Sequence, residues 1–144
     1  MNILNTIKNW FSTESDNTFT PQSLIIAAKV LAVEKHPNAD RLRIIKLDGG
    51  GREIYPVICG AFNFEAGAVV ALALPGAKIP QNIHSGTHEP FTLEKAKIRG
   101  IESQGMICAA FELGLSGEPG KGIMLLKDDI KAGNEFSPSM IKAL

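Results

Sequence analysis

Two kinds of residue that often do chemistry are present in this chain, but neither is arranged for it. Cys59 and Cys108 each follow apolar residues, and a cysteine in an apolar strand behaves as a small hydrophobic side chain. His84 and His88 are spaced like two metal ligands on a helix. However, Ser85–Thr87 between them disfavours a helix, and no Cys or carboxylate completes a zinc set. The run of three glycines fits no phosphate-binding loop. The sequence therefore predicts no catalytic residue, no metal and no cofactor, and it favours a binding function over an enzyme.

Basic residues are the next group with a chemical use, because they bind phosphate. Arg41 and Arg43 are two positions apart in a predicted strand, so their side chains would share one face. Lys95, Lys97 and Arg99 have the same spacing. This pattern fits a phosphate-binding surface that releases counterions. It also fits a plain solvated strand face, which is the commoner explanation on alternation alone.

Short strands separated by glycine and proline are the elements that would position these residues. The predicted strands are Ser23–Val33, Arg41–Leu47, Glu53–Cys59, Ala68–Leu74, Met106–Ala109 and Gly122–Leu126. Several short strands at regular spacing are typical of a small barrel, and no alternation with long helices indicates a doubly wound sheet. The predicted fold class is therefore all-β with minor helices.

The two ends of the chain differ from this central part. Met1–Phe11 has apolar residues near helical spacing, which predicts a short amphipathic helix. A polar linker follows it, so residues 1–22 form an N-terminal helix and linker. Residues 23–136 are the predicted barrel domain, and residues 137–144 are a C-terminal tail with a last helical turn.

Composition indicates one ordered domain in the cytoplasm. The chain has 144 residues, of which 44% are hydrophobic and 21% are charged, as in ordinary globular proteins. No apolar run reaches the ~20 residues of a membrane span, and the first residues lack a secretion signal. Fifteen basic residues balance fifteen acidic ones, whereas nucleic-acid binders are usually basic. A nucleic-acid function would therefore need local clustering of charge.

Five short motifs occur in a fixed order along the chain. They are K-V-L-A-V-E-K-H-P-N-A-D-R-L-R-I-I-K-L-D at 29–48, I-C-G-A-F-N at 58–63, A-L-P-G-A at 73–77, K-I-R-G-I-E-S-Q-G-M-I-C at 97–108 and E-L-G-L at 112–115. Together they resemble the tRNA-binding domain found near the N-terminus of bacterial phenylalanyl-tRNA synthetase β subunits and in related free-standing proteins. The resemblance covers about Leu24 to Phe136. It implies a five-stranded OB-fold barrel that binds structured tRNA by shape and backbone contacts, without chemistry of its own.

The resemblance also implies a set of RNA-binding residues within three of these motifs. They are Asn38, Arg41, Arg43, Asn63, Lys97, Arg99, Ser103 and Met106. Arginine suits such a surface because its planar fork matches phosphate oxygens. For the two asparagines a role in shaping turns stays open, as does a core position for the methionine.

Three features depart from the pattern of this family. Phe62 stands where proline is usual. The excursion Asn82–Phe91 is longer and more polar than the usual connection, so it would either extend the RNA surface or obstruct it. The chain has one Trp and one Tyr, so the stacking platform of many single-strand binders is not expected. Recognition of folded RNA through its backbone and shape is favoured instead.

Two functions from different classes therefore compete. The first is a non-catalytic tRNA-binding module, with tRNA as its partner and a synthetase catalytic chain as a further candidate partner. The alternative is a protein-docking or homodimerisation module, which the apolar stripe of Met1–Phe11 favours because such stripes often mark interfaces. Whether the chain is a stand-alone protein or part of a longer β subunit stays open.

Overall fold

A computed structural model describes residues 24–117, 120 and 122–143 of the chain. The helix predicted at Met1–Phe11 and the linker after it lie outside these residues. The described part contains two single-turn 3-10 helices, at Phe111–Leu113 and Pro138–Met140. None of its helices is long and apolar enough to cross a membrane. Its strands are β1 Ile25–Lys35, β2 Arg43–Asp48, β3 Glu53–Cys59, β4 Val69–Ala73, β5 Lys78–Ile79, β6 Phe91–Thr92, β7 Ala96–Ile98, β8 Ile101–Ser103, β9 Met106–Ile107, β10 Leu125–Leu126 and β11 Ile141–Ala143.

The main sheet is built around β1, because this long strand pairs with two neighbours. Its first half, Ile25–Lys29, pairs antiparallel with β4, and the part from Lys29 to Lys35 pairs with β2. A register shift between Val30 and Ala32 marks a bulge, which bends a strand and increases its twist. The strand order is β11-β10-β4-β1-β2-β3, and β9 also pairs with β4. The bent β1 thereby connects both halves of the sheet.

The predicted all-β class is confirmed, but the sheet is not closed into a barrel. Near the free edge of β3, the backbone N–H of Gln104 donates to Pro56 O at 2.9 Å. The Ile58 N–H donates to the Ser103 hydroxyl at 2.9 Å. These two bonds bring β3 next to the β8–β9 segment without a continuous ladder. Side-chain bonding by Ser103 replaces strand pairing here, so the five-stranded barrel is not completed by regular pairing.

Side chains on both faces of the central strands are buried, which explains why these strands are apolar throughout. On one face, Ile26 and Val30 pack with Ile45 and Leu72 in a first core cluster. On the other face, Ile25 and Ala27 pack in a second cluster with residues of β4, β9 and β10. Alternate residues of one strand therefore enter different clusters, as period-two geometry requires.

The predicted strands agree best with the structure where they are long. The bounds predicted for β3 are those observed, and β1, β2 and β4 shift by one or two residues at each end. The strands predicted at Met106–Ala109 and Gly122–Leu126 are shortened to two residues each. The last helical turn is found at Pro138–Met140, and the residues after it form β11, which pairs with β10.

Candidate nucleic-acid interface

Three connections meet at one end of the sheet. The first is the turn 36–42, which leads into β2, and the second is the loop 60–64, which follows β3. Arg43 pairs with Cys59 in the β2–β3 ladder, so these two connections lie side by side. The third is the tip of the β7–β8 hairpin, which is bonded to the first turn. This end of the sheet therefore brings together residues that are up to about sixty positions apart in sequence.

A buried histidine joins the turn to the hairpin. His36 is 1% exposed. Its Nδ1 accepts a hydrogen bond from the Asn38 N–H at 3.0 Å, and its Nε2 lies 3.1 Å from Ile98 O. Because Nδ1 is an acceptor, the ring hydrogen is on Nε2 and is donated to that carbonyl. The Asn38 side-chain amide adds a bond from Nδ2 to Arg99 O at 3.3 Å. Turn and hairpin are thus held as one unit.

The hairpin tip has an unusual backbone. Arg99 has φ 53° and Gly100 has φ 92°, and two successive residues with positive φ are the mark of a type I′ turn. Glycine adopts this conformation without cost, whereas it is uncommon for an arginine. The predicted alternation of Lys97 with Arg99 along one strand is therefore wrong. β7 ends at Ile98, and Arg99 is displayed at the tip of the turn instead.

Three of the predicted RNA-binding residues are exposed cations. Arg41, Lys97 and Arg99 all lie at the surface. Within residues 24–117, 120 and 122–143, none of them has a carboxylate within 4.0 Å. Asn38 is also exposed, and one hydrogen of its amide is free to meet a ligand. These groups can donate to phosphate oxygens without first breaking an ion pair.

Arg43 is not on this surface, which corrects the prediction that it shares a face with Arg41. Residue 41 precedes β2 in the turn, so strand alternation does not relate the two side chains. Arg43 lies instead on the same face of β2 as Ile45 and Leu47, which are both fully buried. It is itself only 8% exposed. An arginine on the inner face of a strand must find its partners inside the protein.

The partners of Arg43 belong to the loop 60–64 and to Glu65. Its Nη2 donates to Ala61 O at 3.2 Å and to Phe64 O at 2.9 Å. Its Nη1 donates to the Glu65 carboxylate at 2.9 Å. The guanidinium carbon lies 4.6 Å from the ring centre of Phe62 and 4.9 Å from that of Phe64. Arg43 therefore shapes the loop from within.

Asn63 fixes the same loop from its other side. Its amide donates from Nδ2 to Ile123 O at 3.0 Å and accepts from the Ile123 N–H at 3.1 Å. Gly122 has φ 89°, and a Cβ there would lie 2.6 Å from the Asn63 amide carbon. Only glycine fits this position. The open alternative for Asn63, a role in shaping the loop, is thus realised in the structure.

Ser103 is buried and Met106 is half-buried, and both line a cavity together with Gly60 and Ala61 of the loop 60–64. The buried Ser103 hydroxyl accepts from the Ile58 N–H and donates to Gly105 O, both at 2.9 Å. Met106 is half-buried and packs against the second core cluster. Both residues therefore support the elements that carry the exposed groups.

The comparison with known proteins decides the family. Residues 25–135 match the sequence model described as "Putative tRNA binding domain". The chain belongs to this tRNA-binding domain family. It is similar to phenylalanine–tRNA ligase beta subunits of Ralstonia nicotianae, Chlorobaculum tepidum and Chlamydia pneumoniae. The identities are 42% over 123 residues, 45% over 117 and 52% over 91. These matches cover 85%, 81% and 63% of this chain but only 15%, 14% and 11% of the relatives.

Three further ionisable groups of the tRNA-binding domain, Cys59, Cys108 and Glu112, are buried. Burial raises the pKa of the Cys59 and Cys108 thiols. Glu112 is also buried; desolvation raises the pKa of its carboxyl, although the carboxylate accepts from the Ala109 N–H at 2.8 Å. Within the described part of the chain, no three His, Cys, Asp or Glu side chains are grouped to hold a metal.

The excursion 82–91 is an ordered loop that closes the β5–β6 hairpin. The Asn82 N–H donates to Glu89 O at 3.1 Å, and the Asn82 side chain accepts from the His84 N–H at 2.9 Å. The His88 ring packs edge-on against Phe111, with ring centres 4.8 Å apart. The loop thus folds against the 3-10 turn of the domain. The hydrogen bonds that join the turn 36–42 to the hairpin tip do not involve it.

An apolar groove lies elsewhere on the domain. It has a volume of about 450 Å³, and its lining includes Ile79, Phe91, Leu115 and Phe136. None of the eight predicted RNA-binding residues lines it.

Proposed function

We propose that this domain binds structured tRNA, without catalysis, through the turn 36–42 and the tip of the β7–β8 hairpin. One observation carries the proposal. Arg41, Lys97 and Arg99 are exposed cations without a carboxylate within 4.0 Å among the described residues. The segments that bear them are locked together through His36 and Asn38. A rigid set of unpaired cations suits the fixed phosphate spacing of folded RNA.

The remaining predicted residues have supporting roles in this proposal. Asn38 contacts the RNA with the free part of its amide, and Asn63 lies at the rim of the surface. Arg43 and Ser103 act as positioning residues, since the Nη atoms of Arg43 and the hydroxyl of Ser103 are bonded inside the protein. Met106 contributes to the packing beneath them. Asp40 is exposed next to Arg41, and its negative charge limits the affinity for phosphate.

Fluorescence anisotropy of labelled bulk tRNA tests the proposal. With three phosphate contacts, affinity should fall by roughly 40-fold between about 50 and about 200 mM salt. The triple variant Arg41→Gln, Lys97→Gln, Arg99→Gln should lose most of the binding and most of the salt dependence.

The matched control removes the same charge from another part of the surface. Lys29, Arg52 and Lys131 are exposed. They lie near Asp48, at the far end of β2 from Arg43: Lys29 is opposite Asp48 in the ladder, Arg52 O accepts from the Gly49 N–H, and Lys131 lines a cavity with Asp48. Their triple change to Gln should leave most of the affinity intact. Equal losses in both triple variants would show that only net charge matters. No binding by the unchanged protein at the lower salt would overturn the proposal.

A synthetase catalytic chain as a partner, and a cytoplasmic location, belong to the same proposal. The relatives are beta subunits of phenylalanine–tRNA ligases. The exposed groups of this surface are cations and amides, which bind and position RNA but offer no nucleophile. Any chemistry on the tRNA would therefore come from outside this domain. Purified protein should not turn over aminoacyl-tRNA. Turnover by the unchanged protein that a single substitution abolishes would contradict this expectation.

Homodimerisation is the second candidate function, favoured by the apolar groove. Its volume of about 450 Å³ can take several side chains from a second copy. In that case sedimentation velocity should show association that rises with protein concentration and is lost in Leu115→Glu. A monomer at every concentration would exclude this candidate. The stripe at Met1–Phe11, which first indicated docking, lies outside the described residues.

A further inference from the structure

Phe62 presents an open aromatic face. The residue is 56% exposed, more than Leu31 and Tyr55, which at 44% are the other large hydrophobic residues at the described surface. The Arg43 guanidinium covers one face of the ring, with its carbon 4.6 Å from the ring centre. Because one face is covered while more than half of the residue remains accessible, the opposite face is turned to solvent.

The loop that carries Phe62 is held on both sides of the ring. Arg43 donates to Ala61 O and Phe64 O, directly before and two residues after Phe62. Asn63 makes two bonds to the backbone of Ile123. These bonds fix the backbone at 61–64, so little conformational freedom is lost when something packs on the ring. The ring is thus preorganised rather than merely exposed.

The position of the loop places Phe62 at the same end of the sheet as the exposed cations. A Cβ on Gly60 would lie 3.7 Å from Arg41 O and 3.4 Å from the Leu42 side chain. The loop 60–64 therefore packs directly on the turn that carries Asn38 and Arg41. An RNA strand bound at this turn would therefore lie next to the loop that carries Phe62.

We propose that Phe62 is a stacking platform for an unpaired nucleobase of the bound RNA. The proposal rests on the tRNA-binding function argued above and adds a base contact to it. Unpaired bases in RNA stack readily on aromatic side chains, and every base offers a face for this. The guanidinium behind the ring draws electron density from the exposed face, which reduces repulsion between the two π-systems. A phenylalanine would thus supply the platform that the low Trp and Tyr content does not predict.

Tyr55 provides a matched control within the same chain. It is also exposed, and Lys46 lies over its ring with Nζ 5.4 Å from the centre. Its hydroxyl donates to Glu34 at 3.4 Å. It projects from β3 rather than from the loop 60–64, so it should not meet the RNA. Removing either ring deletes one exposed, cation-backed aromatic side chain.

The first experiment compares tRNA affinity in Phe62→Ala, Phe62→Leu, Phe62→Tyr and Tyr55→Ala. Loss of one stacked base should weaken binding by roughly 5- to 150-fold in the Ala and Leu variants. The salt dependence should not change, because no phosphate contact is lost. Phe62→Tyr and Tyr55→Ala should bind normally. A fully paired RNA duplex should bind the Ala variant and the unchanged protein equally. Urea unfolding of each variant checks that the loop is still folded.

The second experiment detects the stack directly. Trp10 is the only tryptophan, so Phe62→Trp in a Trp10→Phe background places a single fluorophore on the loop. Unpaired RNA should quench its emission, whereas Tyr55→Trp in the same background should be unaffected. Absence of quenching, or normal affinity of Phe62→Ala, would overturn the stacking proposal. If the triple variant of Arg41, Lys97 and Arg99 still loses tRNA binding in that case, the tRNA-binding function stands without the stacking contact. Quenching by a single-stranded oligonucleotide, with no tRNA binding, would instead refute only the tRNA-binding function.

Discussion

Replacing Arg43 by methionine should destabilise the domain strongly, even though arginine is usually a surface residue. Methionine keeps the apolar stem but cannot donate to Ala61 O and Phe64 O, which lose bonds of 3.2 and 2.9 Å. Hydrogen bonds from a charged donor contribute about 1.5–3 kcal/mol each. The Glu65 carboxylate adds at most about 1 kcal/mol, because its side chain is 73% exposed and screened by water.

One feature of the native state partly offsets this loss. The Nε of Arg43 is buried without a hydrogen-bond partner, and such an atom costs about 1–3 kcal/mol. Methionine removes that cost. The expected net change for Arg43→Met is therefore a loss of about 2–4 kcal/mol in the free energy of unfolding. Arg43→Lys keeps the charge but reaches fewer acceptors, so it should lose about 1–2 kcal/mol.

Urea unfolding, followed by circular dichroism, measures these changes. Glu65→Gln is the control, and it should change stability by no more than about 1 kcal/mol. Arg43→Met should also leave the salt dependence of tRNA binding unchanged, because its guanidinium does not reach phosphate. An Arg43→Met protein of native stability with a weaker salt dependence of tRNA binding would contradict this buried role. That result would mean that Arg43 acts at the surface.

Three further predictions concern other residues. Arg99→Asn should stabilise the domain by about 0.5–1 kcal/mol, since asparagine tolerates positive φ in a type I′ turn. The same change should lower the salt slope of tRNA binding by about 0.9, because one cation is lost. Reduced stability would contradict the view that the positive φ of Arg99 costs free energy. The pKa of Glu112 is raised on folding, so the folded state holds its proton at pH values where the unfolded chain has lost it. Stability should therefore fall, relative to Glu112→Gln, as pH rises from the unfolded value through the folded one, and parallel pH curves of the urea midpoint would disprove this. Cys59 and Cys108 should resist a thiol reagent at pH 8 until urea is added, because burial raises their pKa; rapid labelling of the native protein would count against it.

The long strands could be predicted from the sequence, and the short ones could not. Runs of β-branched and leucine residues bounded by turns mark β1 to β4, because burial on both faces requires continuous apolar segments. The pairs β5–β6 and β7–β8 contain two or three residues per strand. So few residues show no periodicity, and only the tertiary contacts hold them in place.

The candidate interface was predicted as a set of residue types, but not as an arrangement. Arg41, Lys97 and Arg99 are at the surface, as the resemblance implies, whereas Arg43 is inside. Two arginines in one motif look alike in the sequence, since the partners of Arg43 lie 18 to 22 residues away. The bond from His36 to the hairpin is hidden in the sequence for the same reason, because its acceptor is 62 residues distant. The sequence shows that Phe62 replaces the usual proline, but the exposure of its ring depends on the fold.

The hairpin tip is attached to the rest of the domain through main-chain atoms. His36 and Asn38 bond to the carbonyl oxygens of Ile98 and Arg99, and carbonyl oxygens are present whatever side chains follow. The side chains at the tip can therefore be exchanged while the tip keeps its place, provided that the new residue accepts a positive φ. For protein engineering this makes the β7–β8 tip a site for grafting new recognition residues. A library varied at Lys97 and Arg99 would sample ligand preferences on an unchanged scaffold.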